Sequence, residues 1–289
     1  MTKQKKINEV KTKKYRVKDI YINVAEVGHG EPLIFIHGWS NSWIGWTLLA
    51  NELSPYYKLY MVDIPGFGDS DTLPHYSLEI INEYLSTFID KYAPNPKAII
   101  GASSGTFVAA YIALANNYKS SLILIGTVLN RRKTALIKEF YSKLLSFSAN
   151  SILAHKAAEI IIKHPYSAYF VEKYIHAYQF NRKLIDLYSV PGRKKVKGKP
   201  YVQLGIAIMG YILDEELRTI PNNTLLIFGS ADKYVSRRTA ENFLKKANNS
   251  KLSLVMIEKS GHSPAYEQPK ETAKVIREYL LSLGSIREK

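Results

Sequence analysis

Between two glycines, in the stretch AIIGASSGTF (98–107), the chain carries two adjacent serines directly after a short apolar run. A hydroxyl placed there can act as a nucleophile. With Ser103 at the centre, Gly101-Ala102-Ser103-Ser104-Gly105 fits Gly-x-Ser-x-Gly, the pattern of a sharp strand-to-helix turn that leaves a serine Oγ exposed. Such a turn is strained, and only small residues two positions to either side leave it room. Centring the pattern on Ser104 puts Ala102 and Thr106 in those positions, where a β-branched Thr crowds the turn. Ser103 is therefore the candidate nucleophile, suited to acyl transfer through a covalent intermediate.

A serine hydroxyl is a weak nucleophile until a base within hydrogen-bond reach takes its proton, and an acid must orient that base. Of the seven histidines, His155, His164 and His176 fall in a long helical stretch, His75 in a polar connection and His29 in the GHGEP turn. Surface or core roles are expected for His155, His164, His176 and His75. His262 follows the last apolar run, in KSGHSPAYEQP, at the carboxyl end of a predicted strand, where ligands gather in open α/β sheets. It is the candidate base. Asp232 ends the preceding predicted strand in IFGSADKYV, at the same edge, and is the candidate orienting acid. A helix N-cap role for Asp232 is the alternative, but Ser236, directly before RRTAENFLKK, is better placed for it.

These residues need a scaffold that delivers them to one edge. KYRVKD and YINVAEVG read as two antiparallel strands, and PLIFIHG (32–38), KLYMVDIPG (58–66) and KAIIGAS (97–103) as buried parallel ones. SLILIGTV (121–128), TLLIFGSAD (224–232) and LSLVMIEKSGH (252–262) bring the strands to eight. WTLLANELS, SLEIINEYLSTFIDKY and TFVAAYIALAN show apolar residues at helical spacing between them. An α/β protein with a mostly parallel eight-stranded sheet is predicted. The interval 129–219 has helical patterns such as KTALIKEFYSKLLSF, no convincing strand, and too great a length for a loop. It is expected to be a helical cap inserted in a core domain formed by 1–128 and 220–289.

At this point the chain resembles the α/β-hydrolase family over essentially its whole length. His37-Gly38-Trp39 resembles the family's oxyanion loop, and VDIPGFGDSD its Asp-x-Pro-Gly-x-Gly-x-Ser turn. GSADKYVS and SGHSPAYEQP resemble its acid and histidine loops. The resemblance implies a triad of Ser103, His262 and Asp232, an oxyanion hole built from the backbone N–H groups of Trp39 and Ser104, and no cofactor or metal. Ala102 and Thr106 depart from what relatives often carry, which reshapes the pocket floor. Dehalogenases and epoxide hydrolases of this fold place Asp at the elbow, and ring-cleavage C–C hydrolases usually carry Trp after the histidine, where this chain has Ser263. A carboxylic-ester hydrolase is the expected activity, with a lactonase as the alternative and a non-catalytic ligand receptor as the reading from another class.

Composition bounds the rest. The chain of 289 residues has no cysteine, which excludes disulfides, thiolate catalysis and Cys-ligated zinc. No window approaches the roughly 20 apolar residues of a membrane span, and the lysine-rich start lacks the apolar stretch of a leader, so a cytoplasmic location is expected. All of the +15 net charge lies in residues 1–20 (+6) and 129–219 (+9). No nucleic-acid recognition motif accompanies that charge, and no nucleic-acid partner is expected. VPGRKKVKGKPYV (190–202) holds five of the basic residues and is expected to be a mobile loop near the pocket mouth. There it would steer anionic substrates. The HGW and PGFGDS loops resemble those of esterases that cleave a methyl ester of carrier-protein-bound pimeloyl chains, so an acidic carrier protein joins a small ester or lactone among the expected partners. Eight tyrosines in the insert (141, 166, 169, 174, 178, 188, 201 and 211) would suit an acyl or aryl ester.

Overall fold

The computed structural model of the chain describes residues 10–129 and 148–285. The expected helix over KTALIKEFYSKLLSF, Tyr141 and the first nine residues of the basic arm lie outside the described residues. Short β-branched and aliphatic runs become strands β1 (Lys11–Val17), β2 (Ile20–Val27), β3 (Pro32–Ile36), β4 (Lys58–Val62), β5 (Ala98–Ala102), β6 (Ser121–Ile125), β7 (Thr224–Gly229) and β8 (Leu252–Ile257). They form one sheet in the order β1-β2-β4-β3-β5-β6-β7-β8. β1 and β2 pair antiparallel, as do β2 and β4, and every other pairing is parallel.

Side chains alternate along each strand, so the sheet has two apolar faces. Ile34, Ile36 and Ile99 point to one, against Ile81, Leu85 and Phe88 of helix α2 (Leu78–Tyr92) and Phe107 of α3 (Gly105–Ala115). Leu33, Phe35, Ala98 and Ile100 point to the other, where α1 (Thr47–Leu53) supplies Leu49 and Leu53 beside Trp46. Helices on both faces explain why the parallel strands are apolar throughout.

The topology also makes a crevice. From β3 the chain crosses to β4 on one side, then returns to β5 on the other, so the connections that follow β3 and β5 diverge above paired strands. A ligand site in an open α/β sheet sits at such a switch point. The loops carrying Trp39 and Ser103 are the two that flank it.

Between β6 and β7 the described residues include α4 (Ile152–Lys163), α5 (Pro165–Val171), α6 (Val190–Lys194), α7 (Gly198–Gly210) and α8 (Leu213–Thr219), with no strand among them. Ile162, Leu204 and Ile208 from this insert join the same apolar cluster as Phe107. One expectation fails here. Residues 190–202 are two helices rather than a mobile loop, and Val190, Arg193, Val196 and Pro200 are buried. The two glycines in this basic stretch serve close approach, not freedom: a Cβ on Gly192 would sit 2.3 Å from Asn41 Oδ1, and one on Gly198 1.9 Å from the His155 carbonyl oxygen. Lys194 stays exposed, so charge density and helix formation are compatible when the cations face out.

The second face of the sheet can be tested at Phe35, which is fully buried with its ring edge-on to Trp46 at 5.1 Å. Phe35→Ala removes that contact and leaves a cavity, and should cost about 3–5 kcal/mol of unfolding free energy in urea titrations. A loss under about 1 kcal/mol would mean that this face repacks around the gap.

Candidate active site

The turn from β5 into α3 is as tight as the sequence pattern requires. Ser103 has φ +50°, in the left-handed region where a non-glycine residue is strained by roughly 1–3 kcal/mol. Its N–H donates to the Ile125 carbonyl at 2.8 Å, which ties the turn to β6. A Cβ on Gly101 would meet the Gly105 carbonyl oxygen at 2.5 Å, and one on Gly105 would meet that of Ile36 at 2.4 Å. Both small positions are therefore filled by backbone, which selects Ser103 over Ser104 as the centre. Thr106, buried, donates its hydroxyl hydrogen bond beneath the turn to Ser103 O and reaches Thr127 Oγ1 at 2.9 Å.

His262 arrives on the loop after β8 and Asp232 on the loop after β7. His262 Nε2 lies 3.0 Å from Ser103 Oγ, and His262 Nδ1 lies 3.0 Å from Asp232 Oδ2. The two side chains are 1% and 0% exposed, so water does not compete for the pair. The other Asp232 oxygen accepts from the N–H groups of Tyr234 (2.7 Å) and Val235 (3.2 Å), which fixes the carboxylate plane. Asp232 is not the helix cap: Ser236 caps the helix Arg237–Ala247, accepting from Thr239 N. The structure thus brings together the three side chains singled out by sequence.

The neighbouring loops are organised around backbone donors. After β3, His37 is buried with Nε2 accepting from Ile64 N–H at 3.1 Å, and burial lowers its pKa, so it is a neutral brace. Asp63 accepts from Asn23 Nδ2 (2.8 Å), Trp43 N (2.8 Å) and Asp69 N (3.0 Å), joining the loops after β3 and β4. Neither the Trp39 nor the Ser104 N–H finds an acceptor among the described residues. Trp39 lines both, and Ser104 one, of two cavities that Ser103 also lines. The Trp39 indole stacks on Tyr201 of α7 at 4.3 Å and donates to the Tyr201 carbonyl at 2.9 Å, so it joins insert to core.

Two cavities meet at Ser103 and His262. The more polar one, about 770 Å³ counting its open mouth, is lined by Ser40, Asn41, Glu172, Ser189 and Arg193. The other is lined mainly by apolar groups, among them Phe107, Val128, Ile175, Ile208 and Met209. Among the described residues no cluster of three or more His, Cys, Asp or Glu side chains could hold a metal. No described helix is long and apolar enough to cross a membrane.

Several residues in this region carry no motif. His176, expected to have a surface or core role, lines both cavities, and its carbonyl accepts the His262 N–H at 2.7 Å. Arg193 reaches the same space from α6. Glu267 accepts from Gly261 N–H (2.6 Å) with one oxygen and from Tyr178 N–H (2.6 Å) with the other, pinning the His262 loop to the insert. An acid five residues after the candidate base is the one sequence signal that could have marked it. The other histidines of the sequence lie elsewhere: His29 and His75 are exposed, His155 binds the Ala149 carbonyl and His164 precedes α5.

A family model described as the alpha/beta hydrolase family matches residues 33–275, and the chain belongs to that family. A pimeloyl-[acyl-carrier protein] methyl ester esterase of Wigglesworthia glossinidia brevipalpis is 24% identical over 261 residues, 88% of this chain and 95% of that protein. The counterpart of that name in Vibrio vulnificus is 34% identical over 101 residues, a match spanning 35% of this chain and only 38% of the relative. Among solved structures, the esterase EaEST of Exiguobacterium antarcticum superposes with a TM-score of 0.75 at 20% identity, covering 93% of this chain and 99% of that one. That likeness establishes the fold.

Burial, opposed by its backbone donors, raises the Glu267 pKa above the ordinary carboxylate range. Folding therefore disfavours its ionised form. Its contribution to stability is full below the unfolded pKa and is lost as pH rises through the folded one. Glu267→Gln removes this titration, so wild-type Tm should rise relative to the variant as pH falls from about 7 to about 4. A Tm difference that moves the opposite way would put the raised pKa in doubt.

Proposed function

We propose that the chain is a serine hydrolase of carboxylic esters, with residues 129–219 acting as a cap over the site. The relay carries the reading: Ser103 Oγ, His262 Nε2, His262 Nδ1 and Asp232 Oδ2 run in two 3.0 Å steps, with the His262 and Asp232 side chains buried and Ser103 half-buried at the cavity. With Nδ1–H donating to Asp232, the lone pair on Nε2 faces the serine hydroxyl. Ser103 Oγ attacks the ester carbonyl while His262 takes its proton, and Asp232 stabilises the imidazolium that forms. The N–H groups of Trp39 and Ser104 stabilise the oxyanion, a term worth about 3–4 kcal/mol per donor in comparable sites. His262 then protonates the departing alkoxide. Water, deprotonated by the same nitrogen, attacks the acyl-enzyme and releases the acid, and Ser103 regains its proton.

The two cavities suit an ester, since one can take the acyl part and the other the alcohol. The Wigglesworthia relative's name favours a second, narrower reading, the methyl ester of a chain borne by a carrier protein. The excess positive charge of 129–219 is consistent with an acidic carrier, because such a field raises encounter rates. Lactones present the same carbonyl to the same groups and belong in any substrate panel.

Turnover of p-nitrophenyl esters tests the assignment. Ser103→Ala should lower kcat by roughly 10⁴-fold or more, because the members of a triad act as a unit. Ser104→Ala keeps its backbone N–H and should cost far less. Equal losses in both folded variants would reject Ser103 as the nucleophile.

A further inference from the structure

Five basic residues lie within 193–199, and they do not behave alike. Lys194 is exposed, Lys195 forms an ion pair with Asp69 at the surface, and Lys197 and Lys199 are half-buried. Arg193 alone turns inward, where it is 9% exposed and lines both cavities that meet at Ser103. Its partners there are two neutral hydroxyls: Nη1 donates to Ser40 Oγ at 2.8 Å and Nη2 to Ser167 Oγ at 3.0 Å. Its Nε is buried and has no hydrogen-bond partner among the described residues.

That arrangement is electrostatically incomplete. No carboxylate of the described residues lies within ion-pair distance of the guanidinium. Glu172, the acid that shares its cavity, turns Oε1 toward His176 Nδ1 at 3.5 Å instead. Burial lowers the Arg193 pKa, with Tyr201 and Glu172 opposing the shift, but a guanidinium stays protonated in proteins. A buried cation without an anion is destabilising, and a guanidinium fork presents donors in the geometry a carboxylate accepts.

We infer that Arg193 is a specificity-determining residue whose guanidinium binds a carboxylate carried by the substrate, so that the preferred esters are hemi-esters of dicarboxylic acids. The inference rests on the ester-hydrolase reading and narrows its substrate class. It differs from steering by the surface lysines, since a contact inside a buried pocket is poorly screened and should persist at high salt.

The test compares monomethyl succinate, glutarate and adipate with methyl butyrate, pentanoate and hexanoate. Wild type should prefer one of the hemi-esters, and Arg193→Gln should lower kcat/KM for that hemi-ester by about 10- to 100-fold, mainly through KM, while changing the neutral esters less than about threefold. The preference should survive a rise in salt to about 0.5 M, and Arg193→Lys should restore it in part. Ser40→Ala removes a hydrogen bond of Arg193 but not its charge, and should keep the preference. If Arg193→Gln lowers both series alike, the residue only braces the loop carrying Ser40, and the inference fails while ester hydrolysis stands. A second arm is independent of turnover: titration calorimetry of glutarate and adipate into Ser103→Ala should show binding that Arg193→Gln in the same background weakens at least tenfold. Equal binding with and without Arg193, or none at all, overturns the inference whatever the esterase assay reports.

Discussion

The positive φ of Ser103 is the constraint on which the rest of the site depends. A serine in the left-handed region is held there only because its surroundings leave no alternative. Gly101 and Gly105 let the strand, the turn and the start of α3 close to backbone contact, with the Ile36 carbonyl directly beneath. The Ile125 carbonyl and the Thr106 hydroxyl hold the turn from below. The hydroxyl is thereby fixed at the carboxyl end of β5, where α3 begins.

Everything else is positioned relative to that point by the sheet. β5 lies between β3 and β6, so Trp39 after β3 and Gly126 after β6 flank the turn, while Asp232 and His262 come in from β7 and β8. A parallel sheet puts all of these loops at one edge, and the switch between β3 and β5 opens the crevice. Packing then makes the edge rigid. Hydrogen bonds tie neighbouring loops together, with Asp63 joining the loops after β3 and β4 and Glu267 joining the His262 loop to the insert.

The insert supplies what the core lacks. It meets this edge through Tyr201 against Trp39 and through the His176 carbonyl on the His262 N–H. Its residues line both limbs of the space beside Ser103, Glu172 and Ser189 the more polar one and Ile175, Ile208 and Met209 the apolar one. The basic excess of the chain has two fates here. Among the described cations of 190–202, Lys194 and Lys195 lie at the surface, while Arg193 is folded inward, where burial strengthens its interactions.

Strands β3 to β8 are legible in the sequence because each is a short, mostly apolar run with its own turn signals, and a parallel sheet buries such runs on both faces, whereas β1 is a charged edge strand read from its alternation beside β2. Ser103, Asp232 and His262 are legible for a related reason: each sits at the end of such a run, among small residues that a tight turn demands locally. The basic stretch 190–202 is misread because spacing shows composition and not direction. Its glycines look like freedom, and only the neighbouring Asn41 shows that Gly192 serves contact. Arg193 meets Ser40 across 153 residues of chain, and His176 meets His262 from an insert with no repeating pattern. The sequence by itself determined the sheet, its order of loops and the three side chains that meet at its edge, since those follow from local periodicity and turn chemistry. Which charges enter the pocket, and what holds the histidine loop in place, was decided by tertiary structure alone, because those contacts depend on how a long insert folds back over the edge of the sheet.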